Sequence, residues 1–271
     1  MYLTQHKTSS GPRWALDGKY LPVHFNLSLL LELPQENIAG FLNSLPLGEA
    51  VTGDLLPPLE STHEVWACGV TYLRSRDARQ AESDVPDVYG RVYDAERPEI
   101  FFKALGWRAA GHGMPIRARQ DSSWDVPEPE LTLIVNRQLE IVGFTVGNDV
   151  SSRSIEGENP LYLPQAKTYR GSCALGPGIQ LAGADDLRDV PIQMNITRAG
   201  KIVFEGEIRS SQMKRSLEEL VACLGRELDF PQGVLLMTGT SLVPADDFTL
   251  QNGDIVRITI NALTLENPVQ A

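Results

Sequence analysis

Apolar and polar residues in the middle of the chain follow the patterns of β-strands. The run EVWACGV at 64–70 is typical of a buried strand, and PEIFFKA at 98–104 of a short one. The runs LTLIVN and LEIVGFTVG within 131–147 predict an antiparallel hairpin that turns about Arg137 and Gln138. A turn there would place Glu130 opposite about residue 145 and Glu128 opposite about residue 147.

The second half of the chain adds another hairpin and the clearest helix. Residues 191–207 alternate apolar and polar side chains around Ala199-Gly200, which predicts a hairpin with its turn at that dipeptide. Residues 216–228 predict a helix that begins with a capping box of Ser216 and Glu219. The apolar stripe of this helix consists of Leu217, Leu220, Val221, Leu224 and Leu228.

These elements predict an α+β fold dominated by antiparallel or mixed sheet. Further strands are expected at 233–239 and 254–260, and the charged stretch 72–83 favours a helix. A proline-rich break at 53–62 divides the chain. We therefore expect a small N-terminal region, residues 1–58, followed by a main domain, residues 59–271.

Composition narrows the range of partners and compartments. The net charge of −11 over 271 residues argues against nucleic-acid binding, which needs clustered Lys and Arg. Three widely spaced cysteines predict neither a disulfide framework nor a zinc site. We see no apolar run long enough to span a bilayer and no signal peptide, so a cytoplasmic protein without a membrane partner is expected.

Three acidic residues converge if the first hairpin forms. Glu128 and Glu130 are two residues apart at the strand entrance VPEPEL, so their side chains point to the same side. Asp149 follows the second strand at the same end of the hairpin. Three carboxylates without a counter-charge repel one another, and a hard divalent cation removes that cost. The alternative is a solvated strand edge, on which Pro129 prevents further pairing. Adding Asp149 favours the metal site.

The order of motifs resembles the fumarylacetoacetate hydrolase family. The matching segments lie between about 64 and 262 and read VPEPELTLIV, IVGFTVGNDVSSR, QAK, LGP, MTGTS and NGDIVRI. The resemblance implies a mixed β-roll, a homodimer or higher homo-oligomer, and a small-molecule 2-oxo acid substrate. It also implies that Glu128, Glu130 and Asp149 bind Mg²⁺, with Mn²⁺ or Ca²⁺ as alternatives.

The resemblance also implies roles for individual positions. Lys167 and Arg153 match active-site cations of the family, and Lys103 matches a lysine that lines the site. Gly239 and Thr240 match a loop that touches the substrate carboxylate. Read alone, each of these residues is more typical of a solvated surface charge or a turn. Further substrate contacts are expected from two residues that follow the first strand, Tyr72 and Arg74.

Departures from the family pattern separate its branches. Hydrolase and decarboxylase members carry N-Y-x-x-H in the first helix, whereas residues 75–77 read Ser-Arg-Asp here. Glu156 stands where hydrolases often have Gln, and the K-x-x-D motif is KTYR. The wording of ACGVTYLRSRDAR and SSRSIEGENPLYLPQAK is most similar to the branch that dehydrates 2-keto-3-deoxy sugar acids.

This resemblance implies a Mg²⁺-dependent dehydratase of a 2-keto-3-deoxy pentonate. Lys167 is the candidate for the base that removes the C3 proton, or for the cation beside the enolate oxygen. Glu156 is the candidate acid for the departing C4 hydroxyl, and Arg153 is the candidate neighbouring charge that assists Lys167. The alternatives are an acylpyruvate-type C–C hydrolase, a 2-oxo acid isomerase or decarboxylase, and a non-catalytic metal-binding protein. The sequence leaves open the sugar-acid stereoisomer, Mg²⁺ against Mn²⁺, and the role of residues 1–58.

Overall fold

A computed structural model describes residues 1–74 and 91–270 of the chain. The predicted helix at 72–83 falls outside the described residues from residue 75 onward. The strands are β1 (Tyr2–Thr8), β2 (Gly11–Leu16), β3 (Lys19–Tyr20), β4 (Leu55–Leu56), β5 (Glu64–Gly69), β6 (Glu99–Leu105), β7 (Ile116–Arg117), β8 (Asp125–Val126), β9 (Pro129–Val135), β10 (Ile141–Asp149), β11 (Ser151–Ser152), β12 (Cys173–Leu181), β13 (Pro191–Arg198), β14 (Lys201–Arg209), β15 (Val234–Met237), β16 (Ile255–Ile260) and β17 (Leu263–Gln270).

Short helices and 3₁₀ turns connect these strands. The α-helices described along their whole length are α1 (Leu27–Leu31), α2 (Gln35–Ser44), α3 (Arg153–Glu158), α4 (Leu163–Lys167) and α5 (Leu217–Leu224). The 3₁₀ turns are Gly106–Arg108, Pro160–Tyr162, Asp185–Leu187 and Ser210–Gln212. The mixture of sheets and few helices confirms the predicted α+β fold. Within the described part of the chain, we find no helix both long and apolar enough to cross a membrane.

Two mixed sheets and a two-stranded sheet of β11 and β8 build the described part of the molecule. The larger has the strand order β3-β2-β1-β12-β10-β9-β15-β5-β6, with β4 paired to β1, and its β15–β5 pair is parallel. The smaller has the order β14-β13-β16-β17-β7. Side chains from β9 and β10, such as Leu133 and Phe144, share one core with Ile192 and Ile258 of the smaller sheet. The opposite face of the larger sheet packs on the N-terminal helices, so β9 and β10 are buried on both faces.

The hairpin of β9 and β10 forms as predicted, but its register differs by two residues. Glu130 pairs with Gly147, and the backbone N–H of Asp149 donates to the carbonyl of Glu128 at 2.9 Å. The difference arises because residues 136–140 form the turn and the pairing shifts by one residue at Val142. Asp149 therefore lies directly opposite Glu128.

The N-terminal residues extend the larger sheet. Strand β1 pairs with β12, and the carboxylate of Glu60 accepts hydrogen bonds from the Ser28 N–H at 3.0 Å and the Trp14 indole at 3.1 Å. These contacts attach α1 and the β1–β2 hairpin to the segment that leads into β5. The boundary between residues 58 and 59 stays a prediction.

The second hairpin is confirmed, and the predicted α5 is too long. Ala199 and Gly200 both have positive φ, as the predicted two-residue turn requires. The Ser216 hydroxyl accepts the Glu219 N–H at 3.1 Å and begins the helix as expected. The helix ends at Leu224, so placing Leu228 in the apolar stripe was wrong, and that side chain is exposed. A residue larger than Gly225 at the C-cap would collide with Leu139 of the β9–β10 turn.

Candidate active site

Three carboxylates meet at the end of the β9–β10 hairpin. Glu128, Glu130 and Asp149 each offer an oxygen, and these three atoms lie within 4.8 Å of one another. All three side chains are buried, with at most 3% of their surface exposed. Hard divalent cations such as Mg²⁺ prefer a ligand set made only of carboxylate oxygens. The chemistry and spacing of these donors therefore fit the predicted metal.

Side-chain cations also surround this cluster. The Lys167 Nζ donates to Glu128 Oε2 at 2.7 Å, to Asp149 Oδ2 at 3.2 Å and to the Ser151 hydroxyl at 2.6 Å. The Arg153 guanidinium donates to Glu128 Oε1 at 2.9 Å. These contacts bring Lys167 and Arg153 against two of the three predicted metal ligands.

Lys103 lies beneath Asp149. Its Nζ forms an ion pair with Asp149 Oδ1 and donates to the carbonyl of Val150 at 3.1 Å and to that of Lys167. The side chain is fully buried and is absent from the residues that line the cavity described below. This geometry suits a residue that orients Asp149 and the end of α4. The predicted contact between Lys103 and the substrate stays a prediction.

Glu130 is held by backbone rather than by a side-chain cation. Its Oε2 accepts the N–H of Gly239 at 2.6 Å. Gly239 has a φ of +91°, and a Cβ there would lie 2.1 Å from the Thr71 hydroxyl, so the position requires glycine. Burial, followed by the charges of Asp149 and Glu128, raises the pKa of the Glu130 carboxyl well above its usual range. A bound cation would relieve this repulsion.

Two short helices present the remaining polar groups. The Ser152 hydroxyl caps α3 by accepting the Ile155 N–H at 3.3 Å, and it fixes the start of the helix. Arg153 and Glu156 are three residues apart and are both buried on the inner face of α3. Lys167 is the last residue of α4, and its Nζ lies 5.6 Å from the centre of the Phe101 ring.

A small cavity opens above the carboxylates. Its volume is about 20 Å³, measured for the centre of a water molecule, which is room for about one water or ion. The residues that line it are Cys68, Gly69, Val70, Glu99, Phe101, Glu128, Glu130, Arg153, Glu156, Lys167 and Thr240. Thr240, Glu156 and Lys167 thus line the same cavity, and their predicted roles toward a substrate stay predictions.

Glu99 in this lining escaped the sequence analysis. A usable signal was present, because Glu99, Phe101 and Lys103 alternate along β6 and side chains two residues apart share a face. Because Lys103 was assigned to the site, the alternation along β6 also assigns Glu99 to it.

Tyr72 and Arg74 lie in a neighbouring cleft. This cleft is also lined by Ser241 and Leu242, which directly follow Thr240 of the cavity. Tyr72 is buried, and burial raises the pKa of its hydroxyl, whereas Arg74 is exposed. The structure does not bring these two residues into the acidic cavity, and their substrate contacts stay predictions.

Comparison with known proteins identifies the family. The sequence model described as "Fumarylacetoacetate (FAA) hydrolase C-terminal" matches residues 64–270. The chain belongs to the fumarylacetoacetate hydrolase family. The matched residues include the three carboxylates, both lysines and Glu156.

Two relatives within this family share much of the chain. A protein of Haloferax volcanii named "probable 2-keto-3-deoxyxylonate dehydratase" is 51% identical over 208 residues, which are 76% of this chain and 72% of that protein. The 2-dehydro-3-deoxy-D-arabinonate dehydratase of Saccharolobus solfataricus is 42% identical over 229 residues, 81% of this chain and 74% of that protein.

A solved structure extends the similarity to the whole chain. It is that of 2-keto-3-deoxy-D-arabinonate dehydratase complexed with magnesium and 2,5-dioxopentanoate. The two chains are 33% identical, with a TM-score of 0.82 over 100% of this chain and 99% of the other. The predicted resemblance to the sugar-acid dehydratase branch is therefore confirmed.

Proposed function

We propose that this protein is a Mg²⁺-dependent dehydratase that converts a 2-keto-3-deoxy pentonate into a 2,5-dioxo acid. The observation that carries the proposal is the buried cavity where three carboxylates of the metal-binding type meet Lys167 and Glu156. Dehydration needs a base for a carbon-bound proton and an acid for a hydroxyl, and these side chains supply both kinds of group. The two dehydratase relatives and the product complex support the same reaction.

Glu128, Glu130 and Asp149 would hold the magnesium ion. When bound, Mg²⁺ supplies Lewis-acid stabilisation of negative charge on a 2-oxo carboxylate group. The chain contributes the fixed geometry of the three ligands. Gly239 orients Glu130, Arg153 orients Glu128, and Lys103 orients Asp149 through the contacts described above.

Lys167 is the proposed base. Its Nζ lies at the cavity wall beside Glu128 and Asp149, where the C2–C3 segment of a 2-oxo acid would lie. The neutral amine of Lys167 takes the C3 proton and becomes an ammonium, while the electron pair of the C3–H bond forms the C2–C3 double bond and the carbonyl π electrons move onto the C2 oxygen to give an enolate. Ser151 and the two carboxylates fix the direction of the amine.

Glu156 is the proposed acid. It lines the same cavity from α3 and donates a proton to the C4 hydroxyl, which leaves as water. The enolate collapses to an unsaturated 2-oxo acid that still carries the C5 hydroxyl, and tautomerisation moves that double bond to give the 2,5-dioxo acid. One water is lost, and no redox partner is required. We propose that Thr240 and Gly239 contact the substrate carboxylate, and that Tyr72 and Arg74, in the neighbouring cleft, contact the distal end of the substrate.

The missing histidine favours dehydration over hydrolysis. The chain has four histidines, and none of them lines the cavity. His6 bonds to the backbone carbonyl of Gly53 and His63 to that of Gln232, His112 accepts the Glu266 N–H, and His24 is exposed. A hydrolase needs a base that activates water. The histidine that does so in acylpyruvate hydrolases has no counterpart at this site.

A substrate comparison tests the proposed reaction. The purified protein with Mg²⁺ is incubated with the 2-keto-3-deoxypentonate stereoisomers and, separately, with an acylpyruvate. We expect semialdehyde to form from at least one pentonate, with little cleavage of the acylpyruvate. Rapid acylpyruvate cleavage without pentonate turnover would instead identify a hydrolase. Inertness toward both, with tight metal binding, would identify a non-catalytic metal protein.

We also propose a homodimer or higher homo-oligomer in the cytoplasm. Strand β14 is the edge of the smaller sheet, and Ile202 and Val203 on it are exposed, which suits coverage by a second copy. All three cysteines are free thiols, as expected in a reducing compartment. Sedimentation of the wild-type protein and of an Ile202→Lys variant tests the assembly: a monomeric wild-type protein contradicts the first proposal.

A further inference from the structure

The peptide bond between Thr238 and Gly239 is held on both of its polar groups. Its N–H, from Gly239, donates to Glu130 Oε2 at 2.6 Å. Its carbonyl, from Thr238, accepts the hydroxyl of Thr71 at 2.8 Å. A trans peptide is planar, and its C=O and N–H point in opposite directions. A contact that fixes the carbonyl of this peptide therefore also fixes the direction in which its N–H points toward Glu130.

Neither the sheet nor the residue type orients this peptide. The pairing of β15 with β9 ends at Met237, and residues 238–245 belong to no helix or strand. Gly239 has a φ of +91°, and glycine has access to more backbone conformations than any other residue. The Thr71 hydroxyl supplies the orientation that the glycine itself does not.

Thr71 is a fixed donor rather than a mobile surface hydroxyl. It is 1% exposed, and its own carbonyl accepts the N–H of Lys214 at 3.0 Å. It follows Val70, which ends the run out of β5 with a φ of +52°, an unusual conformation for a β-branched residue. Strained backbone of this kind persists only where the surrounding contacts hold it, and it is concentrated at functional sites.

Glu130 depends on this peptide more than the other two carboxylates do. Lysine and arginine side chains form ion pairs with Glu128 and Asp149. Within the part of the chain that the structure describes, no such ion pair includes Glu130. Its carboxylate is directed instead by the Gly239 N–H.

We propose that Thr71 is a positioning residue for magnesium binding, which acts on Glu130 through the Thr238–Gly239 peptide. This inference rests on the proposed function in one respect, the assignment of Glu130 as a ligand of Mg²⁺. It adds a residue that touches neither the metal nor the substrate and yet sets the geometry of the metal site.

Two substitutions at Thr71 separate its hydroxyl from its shape. Mg²⁺ is titrated calorimetrically into the metal-free protein. Thr71→Val removes the hydroxyl with little change in shape and should weaken Mg²⁺ binding about three- to tenfold, because groups that orient metal ligands contribute to metal affinity. Thr71→Ser retains the hydroxyl and should bind Mg²⁺ within about twofold of the wild-type affinity.

Thr145 provides a matched control. Its side chain is fully buried on β10, and its hydroxyl donates to the carbonyl of Gly176 at 3.2 Å. It lies four residues before Asp149, a distance of about 13 Å along the strand. Thr145→Val loses the same kind of hydrogen bond and should keep the wild-type affinity for Mg²⁺.

Two further measurements test the path from Thr71 to Glu130. Thr71→Val combined with Glu130→Ala should bind Mg²⁺ no more weakly than Glu130→Ala alone, because the hydroxyl acts through that carboxylate. Hydrogen exchange of the Gly239 amide, followed by mass spectrometry of the metal-free protein, should be faster in Thr71→Val and unchanged in Thr145→Val. If Thr71→Val does not fold, Thr71→Ala replaces it in each comparison.

The outcomes distinguish this inference from the proposed function. If the wild-type protein binds no Mg²⁺, both are overturned. If it binds Mg²⁺ but converts no 2-keto-3-deoxypentonate, while Thr71→Val weakens binding as expected, the proposed reaction fails and the inference stands. Unchanged Mg²⁺ affinity in Thr71→Val, or an equal loss in Thr71→Ser or Thr145→Val, would overturn the inference alone.

Discussion

Two hairpins of similar length have opposite environments in this molecule. Every residue of β9 and β10 is buried, whereas β14 of the second hairpin exposes most of its side chains. Nevertheless, the buried hairpin carries three carboxylates at its end that could together hold a metal ion. The acidic residues of the exposed hairpin belong to no such cluster among the described residues. Burying like charges is costly, whereas exposing them costs little. The comparison teaches that the location of acidic residues, rather than their number, indicates a functional site.

Replacing one lysine beside the buried hairpin and one lysine on the exposed hairpin should give the largest difference in turnover. Lys167→Ala removes the proposed base and should lower turnover of the pentonate by about 10²- to 10⁴-fold. Lys201→Ala, on exposed β14, should leave turnover unchanged. Initial rates of semialdehyde formation measure both, with magnesium affinity as the check that the cluster is intact. A near-normal rate in Lys167→Ala would remove this residue from catalysis.

The two hairpins should also differ in their contribution to stability. Leu133 on β9 is fully buried, whereas Ile202 on β14 is 62% exposed. Leu133→Ala should lower the free energy of unfolding by about 2–5 kcal/mol because it leaves a cavity in the core. Ile202→Ala should change the free energy by at most about 0.5 kcal/mol in the isolated chain. Denaturant unfolding measures both, and a large loss in Ile202→Ala would reveal that a partner surface covers β14.

A glutamate on each hairpin tests the metal site. Glu130→Gln should weaken Mg²⁺ binding at least about tenfold, a loss of about 1.4 kcal/mol, whereas Glu205→Gln should not. Titration calorimetry of the two variants provides the measurement. Unchanged affinity in Glu130→Gln would contradict its assignment as a ligand.

The same variant should not reduce the stability of the metal-free protein. Burial and the neighbouring carboxylates raise the pKa of Glu130, so the folded chain favours its protonated form. Stability is therefore lost as the pH rises from the ordinary carboxyl pKa through the raised one. Gln remains uncharged over that range, and thermal unfolding at neutral pH should show a midpoint at or above that of the wild-type protein.

Local patterns predicted both hairpins and the carboxylate cluster. Strand alternation placed Glu128 and Glu130 on one side, and the reversal of the chain brought Asp149 to them. The register was wrong by two residues: one comes from the turn at 136–140, and the other from the shift at Val142, which has no clear signal in LEIVGFTVG. The hairpin ends nevertheless met, since both strands leave the sheet at the same edge.

Contacts between distant segments explain the remaining differences. The helix at 217–224 ends at Gly225, and a Cβ at this C-cap would collide with Leu139 from another hairpin. Glu99 was missed although its alternation with Phe101 along β6 was a usable local signal, and the pairing of β5 with β6 that completes its surroundings joins distant segments. Neither contact is visible in a periodicity that spans one element.

The turns of the two hairpins supply the smallest test. Ala199 and Leu139 both have positive φ, at 49° and 62°, a conformation that Asn tolerates better than Ala or Leu. Ala199 is exposed, so Ala199→Asn should relieve backbone strain and raise stability by about 0.5 kcal/mol, a shift in Tm of about 1–2 °C. Leu139 packs against the core, so Leu139→Asn should lower the Tm because lost packing outweighs the relief. Calorimetric unfolding of both variants gives the sign of each shift, and equal stabilisation of the two would mean that the turn of the buried hairpin contributes no packing to the core.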